Sequence, residues 1–178
     1  MKIREVTEIA LMTAVIIVLG LIPPIPLGFI PVPIVLQNLG VMIAGVVLGP
    51  KRGSISVGLF LLLALIGFPV LSGGQAGPVV FAGSTGGYLI GWLLTPALIG
   101  STVSLKFMTH FWQKLLCTWI GAVLVVDVIG SLWLAVSTGM PLLSALVSNI
   151  VFIPGDTLKA VVACLVAQRV RVPGIKQI

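Results

Sequence analysis

Charge is what this chain has least of. Ten Lys and Arg and four Asp and Glu amount to 8% of its 178 residues, against 58% hydrophobic residues and a mean hydropathy of +1.26. Soluble domains carry about a quarter charged residues and about half apolar ones. A soluble fold of this size leaves too much surface exposed to hide so much apolar side chain. A water-soluble domain is therefore excluded, and most of the chain must face lipid or other buried helices. The net charge of +6 does not signal nucleic acid, because the cations are few and scattered between apolar runs. They form no basic stripe interleaved with aromatics. The chain has two cysteines, Cys117 and Cys164, and one histidine, His110. Without a CxxC or a Cys/His cluster, no metal site and no disulfide framework are expected. Both cysteines read as small buried apolar residues. Neither Gly49-Pro-Lys-Arg-Gly53 nor Gly83-Ser-Thr-Gly-Gly87 ends in the GK[ST] of a phosphate-binding loop. ATP use by that route is excluded.

What the chain has instead is apolar length. Runs extend over Val6–Ile22, Val32–Leu48, Ser54–Ile66, Val79–Leu105, Leu115–Thr138 and Leu142–Ala167. The start, Lys2 and Arg4 before an apolar stretch, resembles a secretory signal. No polar mature domain follows, so it reads as a first membrane helix. A spanning helix needs about 20 residues, and several of these runs are short. The loop charges set the orientation. Lys2 and Arg4 precede the first run, Lys51 and Arg52 lie between the second and third, and Lys106, His110 and Lys114 between the fourth and fifth. Arg169, Arg171 and Lys176 follow the sixth. The alternate connections, Pro23–Pro31, Gly67–Pro78 and Gly139–Pro141, carry no charge. The expectation is one all-α membrane domain over residues 1–178, with six transmembrane helices and both termini cytoplasmic.

The first two outer connections are rich in Pro and Gly and cannot be helical throughout. Irregular backbone near a membrane survives only where it packs in protein or lines a wet cavity. An outward-opening cavity with one loop as lid is expected. Gly83, Gly87 and Gly91, Gly40 and Ala44, and Ala10 and Ala14 place small residues at four-residue spacing, which lets helices approach closely in lipid.

Three charged residues lie inside the runs: Asp127, Asp156 and Lys159. A charge at mid-membrane costs about 3 kcal/mol on insertion scales, so each is a functional candidate. Asp156 and Lys159, three apart, share a helix face. Pro154 and Gly155 are expected to break the last run, so that Asp156 opens a helix of about twelve residues. At 1.5 Å per residue that is about 18 Å, short of the ~30 Å core, which places Asp156 within the membrane. A carboxylate accepts hydrogen bonds and an ammonium donates them. Together they suit a ligand with N–H donors at one place and an acceptor or anion at another. Asp127 stands alone, either protonated, bonded to a backbone or Ser group, or touching ligand. Gln37, Asn38, Gln75 and Tyr88 are uncharged polar candidates near the outer cavity. An intramembrane aspartyl protease fits poorly, because Val126-Asp127 and Ile153-Pro-Gly-Asp156 match neither expected motif and Lys159 opposes a shared-proton dyad. An enzyme is not expected, and neither is a cofactor. A structural scaffold would leave Asp156 and Lys159 unexplained.

Five segments in order resemble the BioY family, the biotin-binding S-components of energy-coupling factor (ECF) transporters. Pro31-Val-Pro-Ile-Val-Leu-Gln37 is similar to the family's P-x-P-x-T-L/M-Q. Leu48-Gly-Pro-Lys-Arg-Gly53 resembles its cytoplasmic turn, and Gly67-Phe-Pro-Val-Leu-Ser-Gly-Gly74 its Gly-rich outer loop. Gly83-Ser-Thr-Gly-Gly-Tyr-Leu-Ile-Gly91 resembles GPTGGYL-x-G, and Pro154-Gly-Asp-Thr-Leu-Lys159 resembles PGD-x-x-K. Val35 stands where the family usually has Thr, and Ser84 where it has Pro. The resemblance implies an S-component-like fold that captures biotin in an outward pocket closed by the first outer loop. Asp156 and Lys159 would be polar ligand contacts, with Gln75 approaching the ligand, while Gln37 and Tyr88 stay candidates on their polarity and position alone. It also implies that Ala10 and Ala14 dock on a transmembrane coupling subunit, with ATP hydrolysis by two partner ATPases. Within transport, an S-component for another vitamin or a proton-coupled secondary transporter using Asp127 remain alternatives.

Overall fold

The computed structural model describes residues 2–105 and 110–170. Among these residues regular structure is helical, apart from isolated β-bridges between Ile25 and Ile34 and between Leu71 and Gln75. The helices are α1 (Ile3–Gly20), α2 (Gln37–Leu65), α3 (Pro78–Ala82), α4 (Gly86–Val103), α5 (Phe111–Trp119), α6 (Val125–Thr138), α7 (Leu142–Ser148) and α8 (Phe152–Arg169). A π-helical turn, Ile120–Leu124, joins α5 to α6, and a 3-10 turn, Asn149–Val151, joins α7 to α8. Among the described residues, four rods are long and apolar enough to cross a membrane: Gln37–Leu65, Gly86–Val103, Phe111–Thr138 and Leu142–Arg169. Helix α1 stands apart from that set, with Arg4, Glu5 and Glu8 in its first turns.

Helix α2 is continuous only by hydrogen bonding. Gly49 takes φ +73° and ψ −172°, a backbone region open to glycine and hostile to side chains. Pro50 follows, at a first helical position where its missing N–H costs nothing. The chain folds back at this point. A Cβ on Gly53 would lie 2.5 Å from the Ala44 carbonyl oxygen, an approach that nine residues of straight helix, about 13 Å long, could not give. The second and third apolar runs are thus the two arms of a helical hairpin. Helix α4 closes onto its bend, where a Cβ on Gly100 would lie 2.3 Å from the Pro50 nitrogen.

Several of the small residues at four-residue spacing carry helix contacts, while Gly83 ends α3 and meets only the Val79 and Val80 carbonyls. Gly40 faces Ile16, Gly87 faces Trp133 and Ile129, and Gly91 faces Val126. Along α8, Ala160, Ala163, Cys164 and Ala167 are buried within an apolar cluster that includes Val46, Ile99 and Val123. The outward faces stay apolar: Leu11, Val18, Leu62, Leu93, Leu132 and Leu165 are all exposed. So much exposed aliphatic surface suits lipid rather than water.

Two boundaries differ from the sequence reading. The fourth run is split, because Gly83 (φ −77°, ψ −172°) ends α3 before α4 begins. The last run does not break at Pro154-Gly155, and Asp156 does not open its helix. The interruption lies earlier, at Asn149–Val151, and α8 starts at Phe152. Pro154 falls in the first turn, where a proline removes no needed hydrogen bond.

The basic end of the bundle is held by charge. The Arg52 guanidinium donates to Glu5 at 2.7 Å and to Glu8 at 2.8 Å, tying the bend of α2 to the start of α1. Lys106, Arg171 and Lys176, used above for orientation, lie outside the described residues.

Candidate substrate-binding site

The far end of the bundle from Arg52 holds a cavity enclosing, mouth included, about 690 Å³ of empty space. Its walls come from the segment before α2 (Val32–Val35), the start of α2, the loop at 71–75, α4, α6 and α8. Apolar and aromatic side chains dominate, among them Val35, Leu71, Tyr88, Trp92, Val126 and Phe152. Tyr88 meets Phe152 edge to face with ring centroids 6.2 Å apart.

Polar groups converge on this apolar lining. The Lys159 ammonium donates to Asp156 Oδ1 at 2.7 Å and to the Val35 carbonyl at 2.7 Å. Asn38 Nδ2 donates to Asp156 Oδ2 at 3.0 Å. Asp156, Lys159 and Asn38 are all buried. The charge pair therefore neutralises itself and is further bonded on both sides, the condition under which a buried pair is tolerated. At position 35 it is the backbone carbonyl that is used, and the Val for Thr departure leaves that contact intact.

Gln37 lines the cavity but its amide is consumed by the fold. Nε2 donates to the Ile16 carbonyl at 3.2 Å and to the Val70 carbonyl at 2.8 Å. Oε1 accepts from the Ser72 backbone N–H at 2.9 Å and from its hydroxyl at 3.2 Å. Gln37 thus clasps α1 and the loop around Val70–Ser72 to the head of α2. Gln75 lies exposed at the mouth. The Tyr88 hydroxyl donates to Asn149 Oδ1 at 2.7 Å, and Asn149 Nδ2 donates to the Asp127 carbonyl at 2.9 Å and to Ser131 Oγ at 2.7 Å. This network locks α4 and α6 to the turn that launches α8. Asp127 is among the residues that line the cavity. Ser84 Oγ donates to the Pro31 carbonyl at 3.4 Å, joining the segment between α1 and α2 to the α3–α4 turn.

Asp156, Lys159, Gln37, Gln75 and Tyr88, scattered over 123 positions of sequence numbering from 37 to 159, thus share one cavity. Ala10 and Ala14 do not. Both are exposed on α1. Sequence reasoning passed over Asn149 and Trp92. The signal for Asn149 was there, a lone amide in an apolar run, since a buried amide must find partners.

A bundle with lipid-compatible flanks and an apolar-walled cavity on which Asp156, Lys159 and Asn38 converge defines a membrane protein built to hold a small amphipathic solute. The chain belongs to the BioY family, whose model matches residues 1–174. It is 51% identical over 176 residues to the biotin transporter BioY of Lactococcus lactis subsp. cremoris (strain MG1363), covering 97% of this chain and 93% of that one. To the biotin transporter BioY of Rhizobium etli it is 45% identical over 179 residues, 97% and 95% of the two chains. The fold matches the crystal structure of the S-component for biotin from an ECF-type ABC transporter with TM-score 0.93 and 50% identity, over 97% of this chain and 93% of that one. These relatives agree with reading the chain as a transport protein rather than an enzyme.

Proposed function

We propose that the chain captures biotin outside the cell and serves as the membrane-embedded binding subunit of an ECF-type transporter. The observation that carries this reading is the Lys159–Asp156–Asn38 group, lining a small-molecule cavity in a chain half identical to an S-component for biotin. Biotin has an apolar body, a ureido ring with two N–H donors around one carbonyl, and a carboxylate tail. Trp92, Tyr88 and Phe152 suit the body, and Asp156 and Lys159 suit the ureido ring or the acid. Gln75 at the mouth would meet whichever end faces outward. Gln37 and Tyr88 support the wall through their hydrogen bonds to the fold.

Six membrane crossings follow from counting α1, the two arms of α2, α4, the α5–α6 rod and the α7–α8 rod. Lys2, Arg4, Lys51, Arg52 and Arg169 then fall at one end, which the positive-inside rule makes cytoplasmic. The first and last described residues lie there, and the cavity opens outward beneath the first loop. The exposed Ala10 and Ala14 offer a flat strip on α1 where a transmembrane coupling subunit could pack closely. Two ATPase subunits bound to that partner would supply the energy.

Calorimetric titration of biotin into the detergent-solubilised protein, beside Asp156→Asn, tests the capture role. One-to-one binding in the wild type that the variant loses is expected. A folded wild type that binds no biotin would overturn the assignment.

A further inference from the structure

The charges inside the apolar runs are not used alike. Asp156 spends one oxygen on Lys159 and the other on Asn38. Asp127 gives its backbone carbonyl to Asn149, and its carboxyl forms no hydrogen bond or ion pair with any described residue. Nor is that carboxyl sealed away. Among the described residues, the buried side-chain oxygens that lack a partner are Asn38 Oδ1 and Ser54 Oγ, so both Asp127 oxygens keep accessible surface. Asp127 lines the cavity. On α6 it falls within the inward face of Val126, Gly130, Ser131 and Leu134, off the outward stripe of Leu124, Val128 and Leu132. The carboxyl lies within electrostatic reach of Tyr88, Asp156 and Lys159, which line the same cavity.

The aim of this side chain depends on the π-helical turn just before it. Trp112, Leu116, Ile120, Leu124, Val128 and Leu132 form the exposed stripe of the rod. In an unbroken α-helix Asp127, seven residues after Ile120, would fall about two turns on, on that stripe and in lipid. Each i→i+5 bond of a π turn takes in one residue more than an α turn. The turn at Ile120–Leu124 therefore moves the stripe one residue on, to Val128, and swings Asp127 to the cavity side. Single π turns occur frequently at functional sites.

An ionised carboxyl accepts hydrogen bonds and cannot donate them. The donors that biotin offers are its two ureido N–H groups, and a carboxylate or thioether placed here would leave the Asp127 oxygens unmet. We infer that Asp127 is a direct, specificity-determining ligand contact, aimed into the cavity by the π turn, whose carboxyl accepts a ureido N–H of bound biotin. This rests on the biotin reading above and adds to it a residue that discriminates among ligands by their N–H groups.

The test is titration of the full chain in detergent with biotin and with its two mono-N-methyl ureido derivatives, for the wild type, Asp127→Ala and Asp127→Asn, beside unfolding of each protein without ligand. Asp127→Ala loses no bond within the protein and should unfold as the wild type does. Its biotin affinity should fall about 10- to 100-fold, the range expected when a hydrogen bond to a charged group is lost. Asp127→Asn keeps an acceptor oxygen and should recover part of that loss. One derivative should bind the wild type more weakly than biotin by a similar factor, yet bind Asp127→Ala as well as biotin does. A structural role would lower the stability of Asp127→Ala, or prevent its folding, and weaken all three ligands alike; any of these results overturns the inference. So do unchanged biotin affinity in Asp127→Ala and an Asp127→Asn that binds no better than Asp127→Ala. A wild type that binds none of the three ligands removes the biotin reading itself, and the inferred contact falls with it. Wild-type binding without the Asp127 pattern removes the contact alone.

Discussion

Gln37 decides whether a polar residue in the cavity wall serves the ligand or the fold. It is 1% exposed, and replacing it with Leu removes the acceptor of the Ser72 N–H and the donor to the Val70 carbonyl. Those two groups have no other hydrogen bond among the described residues. An orphaned buried backbone group costs about 1–3 kcal/mol; the Ser72 N–H is buried and the Val70 carbonyl only partly so, so Gln37→Leu should lower the stability of the ligand-free protein by about 1–3 kcal/mol. The same clasp can be sprung from its other side. A Cβ on Gly20 would lie 2.3 Å from Gln37 Nε2 and 2.8 Å from the Val70 carbonyl oxygen, so Gly20→Ala must push the amide off its partners. Both variants damage one object, and the double variant should therefore cost well under the sum of the singles. Thermal or denaturant unfolding in detergent, followed by circular dichroism without biotin, measures all four proteins. If Gln37→Leu unfolds like the wild type but binds biotin poorly, Gln37 is a ligand contact and the clasp argument is wrong. Strict additivity with Gly20→Ala would also refute it.

Other variants separate charge, support and docking. Lys159→Met strands a buried Asp156 carboxylate and should destabilise the ligand-free protein by about 3–5 kcal/mol, while Asp156→Asn with Lys159→Met should recover most of that without recovering biotin binding; unfolding and titration of the single and double variants check it. Asn149→Leu leaves the Tyr88 hydroxyl, Ser131 and the Asp127 carbonyl without their shared partner, and should cost about 2–4 kcal/mol. Tyr88→Phe removes one of those bonds and should cost about 1 kcal/mol, read by the same unfolding assay. Ala10→Trp and Ala14→Trp should leave biotin affinity in detergent at the wild-type value and abolish copurification with a coupling subunit; loss of affinity would place α1 in the binding site instead.

The parts of this molecule legible from sequence were those governed by one-dimensional rules. Apolar length located the rods, and small residues at four-residue spacing located contacts such as Gly87 on Trp133 and Gly91 on Val126. The cost of charge in lipid singled out Asp156 and Lys159, which do pair. What resisted was local competition between similar signals. Pro154-Gly155 reads as a helix breaker, yet a proline within the first turn breaks nothing, and the true interruption at Asn149–Val151 carries no Pro or Gly. The reason is tertiary. Asn149 turns its amide inward to Tyr88, Ser131 and the Asp127 carbonyl, and those partners come from α4 and α6, more than fifteen residues away in sequence. The division of labour between Gln37 and Asn38 was hidden for the same reason. Side by side in sequence they are equivalent amides, and only the positions of Ile16, Val70, Ser72 and Asp156 make one a clasp of the fold and leave the other with an open acceptor. Apolar pattern therefore fixes where a cavity can form, while the identity of what fills it depends on polar atoms whose partners are distant in the chain.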